Sequence, residues 1–89
     1  MFLYPWLKSK IEQLRIRLQQ VGIYDPDLAK HMLLHVFEAG DNLQPRINVA
    51  MQLHDFGLQP IECIKFAAVT CYQEDEIENF QRLQQALMQ

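Results

Sequence analysis

Glycines and prolines divide this chain into short segments, and that division limits the fold more than any other feature. Three glycines follow apolar periodic stretches, where glycine ends a helix because it adopts a positive φ at little cost. Proline is tolerated in the first turn of a helix because its missing N–H has no intrahelical partner there. We therefore predict helix ends at Gly22, Gly40 and Gly57, and helix starts at Pro26, Pro45 and Pro60.

Between these residues, apolar side chains recur at helical spacing in five segments. The predicted helices cover about residues 5–21, 26–39, 45–56 and 60–72, with a last helix that opens at Glu74-Asp75-Glu76. This pattern predicts an all-α fold, a compact bundle of about five short helices forming one domain over residues 1–89. The three prolines are spaced 19 and 15 residues apart, which leaves stacked antiparallel helical hairpins as the alternative.

The first predicted helix carries a heptad-like apolar seam. Its members recur in steps of four and three residues, the spacing that lets one helix pack along another. Such a seam packs onto the protein's own core, onto a partner helix, or onto a second copy of the chain, and we keep these alternatives open. The seam consists of Leu7, Ile11, Leu14, Leu18 and Val21.

Large apolar residues also crowd the first six positions, which we call the amino-terminal arm. Phe2, Tyr4 and Trp6 are residue types enriched at the centres of protein interfaces. A basic helix follows, so the arm also has the pattern of a segment that lies at a lipid surface, although a protein contact is favoured over a membrane surface. The third alternative is that the arm folds over its own bundle.

Charge is unevenly distributed along a chain whose formal net charge is −3. Residues 1–24 contain four basic residues and one acidic residue, whereas residues 25–89 contain four basic and ten acidic residues. The acidic excess argues against nucleic acid as the partner, because phosphate binding depends on clustered Lys and Arg. The start of the last helix instead suits a basic protein surface, through Glu74, Asp75, Glu76 and Glu78.

Residues that could carry chemistry are few. His31 and His35 are one helical turn apart, so both imidazoles could bind one metal ion. His54 is predicted to be partly buried and bonded to a backbone carbonyl. Cys63 and Cys71 lie eight residues apart in one predicted helix, about 12 Å, which is too far for a disulfide between them.

Catalysis has little support in this composition. The chain holds one serine and one threonine, neither with a base in helical register, and its glycines form no phosphate-binding loop. Residues 46–70 have the helix, glycine turn and helix of a DNA-binding motif, but the second helix offers few groups for base contacts.

The sequence thus predicts a small cytoplasmic protein-binding domain of the chaperone, adaptor or inhibitor type, with no catalytic activity and no cofactor. Its partner surfaces are the arm with the seam, which is also the candidate interface of a homo-oligomer, and the acidic region. The alternatives are a helix-turn-helix-like DNA-binding regulator and a metal-binding protein that uses His31 and His35.

Overall fold

The computed structural model describes residues 5–40, 42–69 and 76–88. These ranges contain helices and no strand, so the prediction of an all-α fold with about five helices is confirmed. Each helix packs against the next along the chain, and α2 with α4 and α3 with α5 make further contacts, as in a small bundle. The helices are α1 Pro5–Gln20, α2 Leu28–Ala39, α3 Leu43–Asp55, α4 Pro60–Ala67 and α5 Glu76–Leu87.

The predicted helix ends at glycine are confirmed by the backbone. Gly22 and Gly57 have φ values of 95° and 101°, in the left-handed region that glycine reaches without a steric cost. The N–H of Gly22 donates to the carbonyl of Gln19 at 3.0 Å, and that of Gly57 to the carbonyl of His54 at 2.9 Å. These bonds satisfy carbonyls that the end of a helix otherwise leaves without partners.

The predicted start of α2 is wrong by two residues. The helix begins at Leu28, because the residues before it form a turn in which the Asp25 carboxylate accepts from the N–H of Asp27 at 3.0 Å. Asp27 occupies the N-cap position without a side-chain cap bond. The carboxylate of Asp25 therefore stabilises the turn before the helix.

The predicted start of α3 is also wrong, by two residues in the other direction. The helix begins at Leu43, because the side chain of Asn42 accepts from the N–H of Gln44 at 3.1 Å and caps the helix ahead of the proline. Pro45 is the third residue, where its missing N–H still costs nothing. The predicted start of α4 at Pro60 is confirmed.

The predicted seam of α1 lies in the protein's own core. Leu7, Leu14 and Leu18 are almost fully buried, and Ile11 and Val21 pack against the same cluster. Of the alternatives left open by the sequence, intramolecular packing describes the seam in this structure. The other helices contribute buried residues that include Met32, Leu33, Val36, Val49, Leu53, Ala67 and Leu83.

Arg46 is the one buried charged residue among those the structure describes, with 2% of its surface exposed. Its Nε and Nη2 both donate to the carbonyl of Gly40, at the end of α2. Its Nη1 donates to the carbonyls of Ala67 at 3.2 Å and Val69 at 2.8 Å, at the end of α4. One side chain on α3 therefore joins the carboxyl ends of the two helices beside it.

These bonds explain why α4 is shorter than predicted. The sequence predicts a helix to about residue 72, but α4 ends at Ala67. The carbonyls of Ala67 and Val69 are directed toward Arg46, so the backbone at the end of α4 accepts hydrogen bonds from a distant side chain. Cys71 lies outside the described residues.

Candidate protein-binding groove

An apolar groove of about 390 Å³ lies between α3, α4 and the end of α5. In α4 and in α5 the lining residues are spaced i, i+3, i+4, so each helix presents one continuous face to the groove. The lining residues are Ala50, Met51, His54 and Asp55 from α3, Pro60, Cys63 and Ile64 from α4, and Gln84, Leu87 and Met88 from α5.

Two methionines at the groove are unusually exposed. Met51 is 57% exposed and Met88 is 79% exposed, although each side chain is apolar. Methionine has three flexible torsions and a polarisable sulfur, so it adapts to partners of different shape. Large apolar side chains that are exposed together mark binding surfaces more often than chance contacts do.

The thiol at the floor of the groove is unreactive. Cys63 is 3% exposed, and its thiol donates weakly to the carbonyl of Leu58 at 3.7 Å. Burial raises the pKa of the Cys63 thiol, so it stays protonated at neutral pH, and the thiolate is the form that reacts with electrophiles and metals. The groove therefore offers shape and apolar surface.

The rim of the groove is polar. His54, Asp55 and Gln84 lie there, and all three are exposed. The expectation that His54 is partly buried is wrong, because the third helix turns this residue toward the open groove. A partner can form hydrogen bonds with the rim while its apolar side chains enter the floor.

The amino-terminal arm is described only from Pro5 onward, and Phe2 and Tyr4 lie outside the described residues. Trp6 is half-buried and packs against Phe37 of α2, with ring centroids 6.3 Å apart and an angle of 55° between the rings. This tilted arrangement is favourable for two aromatic rings. Trp6 is therefore held by its own bundle in this structure.

The two histidines of the predicted metal site, His31 and His35, are both exposed on α2. Within the ranges that the structure describes, no three His, Cys, Asp or Glu side chains are grouped as metal ligands. A metal ion at these positions would need ligands from elsewhere, because two imidazoles leave a Zn²⁺ ion short of its usual four ligands.

The acidic region is only partly described. Glu74 and Asp75 lie outside the described residues, Glu76 is the first residue of α5, and Glu78 is exposed. The structure thus leaves Glu78 available to a basic partner.

The predicted DNA-binding segment consists of α3, a turn and α4. Glu62, on the second of these helices, accepts from Nε of Arg17 at 3.0 and 3.1 Å, so that face of α4 is turned toward α1. A DNA-recognition helix needs a face that is open to the major groove so that its side chains reach the base edges. Nothing in the geometry favours the DNA-binding alternative over protein binding.

Comparison with known proteins gives no relative: no family model, curated protein or solved structure matches this chain. In the parts of the chain that the structure describes, no helix is both long enough and apolar enough to cross a bilayer.

The groove is the feature that the sequence did not predict. Its residues come from three helices, and no local sequence pattern indicates that the faces of these helices meet. One signal was present, because Met51 lies next to Ile47 on a helical wheel, at the boundary between the apolar and the polar residues of α3. A methionine at such a boundary is a reason to look for a binding surface.

Proposed function

We propose that this chain is a protein-binding domain that takes an amphipathic helix of a partner protein into the groove between α3, α4 and α5. The observation that carries the proposal is the exposure of Met51 and Met88 at an apolar groove of about 390 Å³. Such helices bind in grooves through apolar side chains at i, i+3, i+4 and i+7. Binding covers the methionines and removes their apolar surface from water.

Chaperones, adaptors and inhibitors all act by this kind of contact, and we propose that the chain belongs to one of these three classes. A reducing compartment such as the cytoplasm suits the domain, because Cys63 is a free, buried thiol. The seam of α1 is not part of the proposed surface, since its central leucines are in the core. A homo-oligomer through that seam is therefore not proposed.

The test uses a phage library of amphipathic helical peptides, selected on the whole chain. Peptides with apolar residues at helical spacing are expected to be enriched. Met51→Asp places a carboxylate at the edge of the groove and is expected to weaken the selected peptides by tenfold or more, or about 1.4 kcal/mol. Titration of each peptide by isothermal calorimetry measures the change.

The matched control is Ile16→Asp. Ile16 is also an exposed apolar side chain, at 46%, but it lies on α1 away from the groove, and its replacement is expected to leave peptide affinity unchanged. If Ile16→Asp weakens binding as much as Met51→Asp does, the peptides bind elsewhere and the groove proposal is wrong. Circular dichroism of both variants checks that the helices remain.

A further inference from the structure

The methionines of this chain differ in exposure, and the exposed ones lie at one place. Three of the four methionines fall within the described residues. Met32 of α2 is 5% exposed and belongs to the core, whereas Met51 of α3 is 57% exposed and Met88, just after α5, is 79% exposed. Both exposed methionines line the apolar groove. Among the described methionines, the thioethers open to solvent are therefore those of the proposed binding surface.

A thioether reacts with hydrogen peroxide in a two-electron step. The sulfur attacks one oxygen of the peroxide, and the O–O bond breaks as an S–O bond forms. The proton of the attacked oxygen passes to the other oxygen, which leaves as water. The sulfur is oxidised by two electrons and the peroxide is reduced by two. The product, methionine sulfoxide, is polar where the thioether was apolar.

The floor of the groove lacks groups that could bind a sulfoxide oxygen, which is a hydrogen-bond acceptor. Ala50, Ile64 and Leu87 are aliphatic side chains, the thiol of Cys63 already donates to the carbonyl of Leu58, and the other side-chain donors lie at the rim. In the open groove water solvates a sulfoxide, but a partner helix that covers it removes that water. Because a buried polar group without a hydrogen bond is costly, oxidation opposes binding at this surface.

We propose that Met51 and Met88 form a reversible modification site, at which oxidation to methionine sulfoxide by hydrogen peroxide prevents the groove from binding a partner helix. This inference rests on the proposed function, since it concerns binding at the same groove. The two methionines line the groove from different helices, so a bound helix covers both. A dithiol-dependent methionine sulfoxide reductase supplies two electrons and restores the thioether, with the oxygen released as water.

The first experiment measures oxidation itself. The whole chain is treated with hydrogen peroxide for increasing times, and the masses of its proteolytic fragments show which methionines have gained an oxygen. Met51 and Met88 are expected to be oxidised on the order of tenfold faster than Met32, because the core keeps the oxidant away from Met32. Oxidation of Met32 as fast as the two groove methionines overturns the proposal.

The second experiment measures binding by isothermal calorimetry, with a helical peptide that was selected on the untreated chain and lacks methionine and cysteine. Oxidation is stopped before Met32 reacts, and the peroxide is removed. The peptide is expected to bind the treated chain about tenfold more weakly. Sulfoxide reductases for both epimers are expected to restore the affinity. Circular dichroism checks that the treated chain keeps its helices, and their loss overturns the proposal because unfolding then explains the weaker binding.

The matched control is the double variant Met51→Leu and Met88→Leu, which keeps the apolar surface and most of the volume. It is expected to bind the peptide within about twofold of the original chain, and to keep that affinity after peroxide treatment. The variant retains the other two methionines and both cysteines, so an equal loss in it shows that other residues are responsible and overturns the proposal.

Two further outcomes separate this modification site from the proposed function. If the untreated chain binds no helical peptide, the proposed function is wrong, and the modification site is wrong with it. If the treated chain carries both sulfoxides and binds the peptide as tightly as the untreated chain, the groove binds helices as proposed and only the modification site is wrong.

Discussion

A guanidinium group carries five N–H donors in a planar fork, and Arg46 uses that fork to reach backbone carbonyls at two helix ends. The carbonyls of Gly40, Ala67 and Val69 are its acceptors. A charged group is costly to bury unless its donors are satisfied. The arrangement is therefore stable only while both helix ends stay in place.

Replacing Arg46 with methionine keeps much of the side-chain volume and removes every donor. The buried carbonyls then lose their partners, and we expect the free energy of unfolding to fall by about 2 to 4 kcal/mol. Urea denaturation followed by circular dichroism measures this. The control is Arg82→Met, at an exposed position on α5, expected to change stability by less than about 0.5 kcal/mol. Equal effects would show that burial of Arg46 contributes nothing.

The thiol of Cys63 makes the free energy of unfolding depend on pH in the alkaline range. Burial raises its folded-state pKa, so above the ordinary thiol pKa of about 8.5 the unfolded chain releases this proton and the folded chain retains it. Stability then falls as the pH rises, because the folded state binds more protons. Cys63→Ala is expected to show a shallower loss of stability between pH 8 and about 10, measured by urea denaturation at each pH.

Arg46 also shows where residue-level prediction fell short. Val49, Ala50 and Leu53 follow Arg46 at positions i+3, i+4 and i+7, so the helical wheel places Arg46 on the buried face of α3. That position was readable from the sequence. Two of its acceptors, the carbonyls of Ala67 and Val69, were not, because they lie 21 and 23 residues further along the chain and no local pattern connects them to Arg46.

At the scale of helices, the starts of α3 and α4 differ in a way that stability can measure. Asn42 caps α3 through its side chain, whereas Gln59, at the same position of α4, makes no side-chain cap bond. Asn42→Ala is therefore expected to cost about 1 kcal/mol of unfolding free energy. Gln59→Ala is expected to cost almost nothing, and a larger loss there than in Asn42→Ala would contradict the assignment.

Helix ends at a glycine were easier to predict than helix starts near a proline. A glycine with positive φ stops a helix by its own backbone, and Gly22 and Gly57 did so where predicted. A proline only permits a start, so the actual start depends on which nearby side chain caps the helix. Asn42 moved the start of α3 ahead of Pro45, and Asp25 used its carboxylate for a turn instead.

At the scale of the whole molecule, the α1 seam distinguishes an internal face from an interface. Leu14 is fully buried, so Leu14→Asp removes apolar packing worth about 2 to 5 kcal/mol and places a carboxylate in the core at further cost. We expect far-ultraviolet circular dichroism to show loss of the helices. Ile16→Asp, on the outer face of the same helix, is expected to keep them. A folded Leu14→Asp chain would return the seam to the list of partner surfaces.

The fold class followed from the sequence because each helix is encoded locally, by period, glycine and proline. The groove did not follow, since it depends on which helix faces meet. Met51 and Met88, for example, are far apart in the chain and lie at one groove only because α3, α4 and α5 pack against one another. Surfaces of this kind become visible only in three dimensions.

The bonds of Arg46 to distant residues also affect how the chain folds while it is being synthesised. The second of its partner segments ends at Val69, 23 residues later, so the side chain must remain in water while those residues are synthesised, which takes about 1 to 5 s at ordinary translation rates. In the later part of that interval, once residue 55 has been added, α2 and α3 are complete but cannot close against α4. The apolar faces of both helices are then open to the wrong contacts, and a factor at the ribosome has most to protect before the last acceptor emerges.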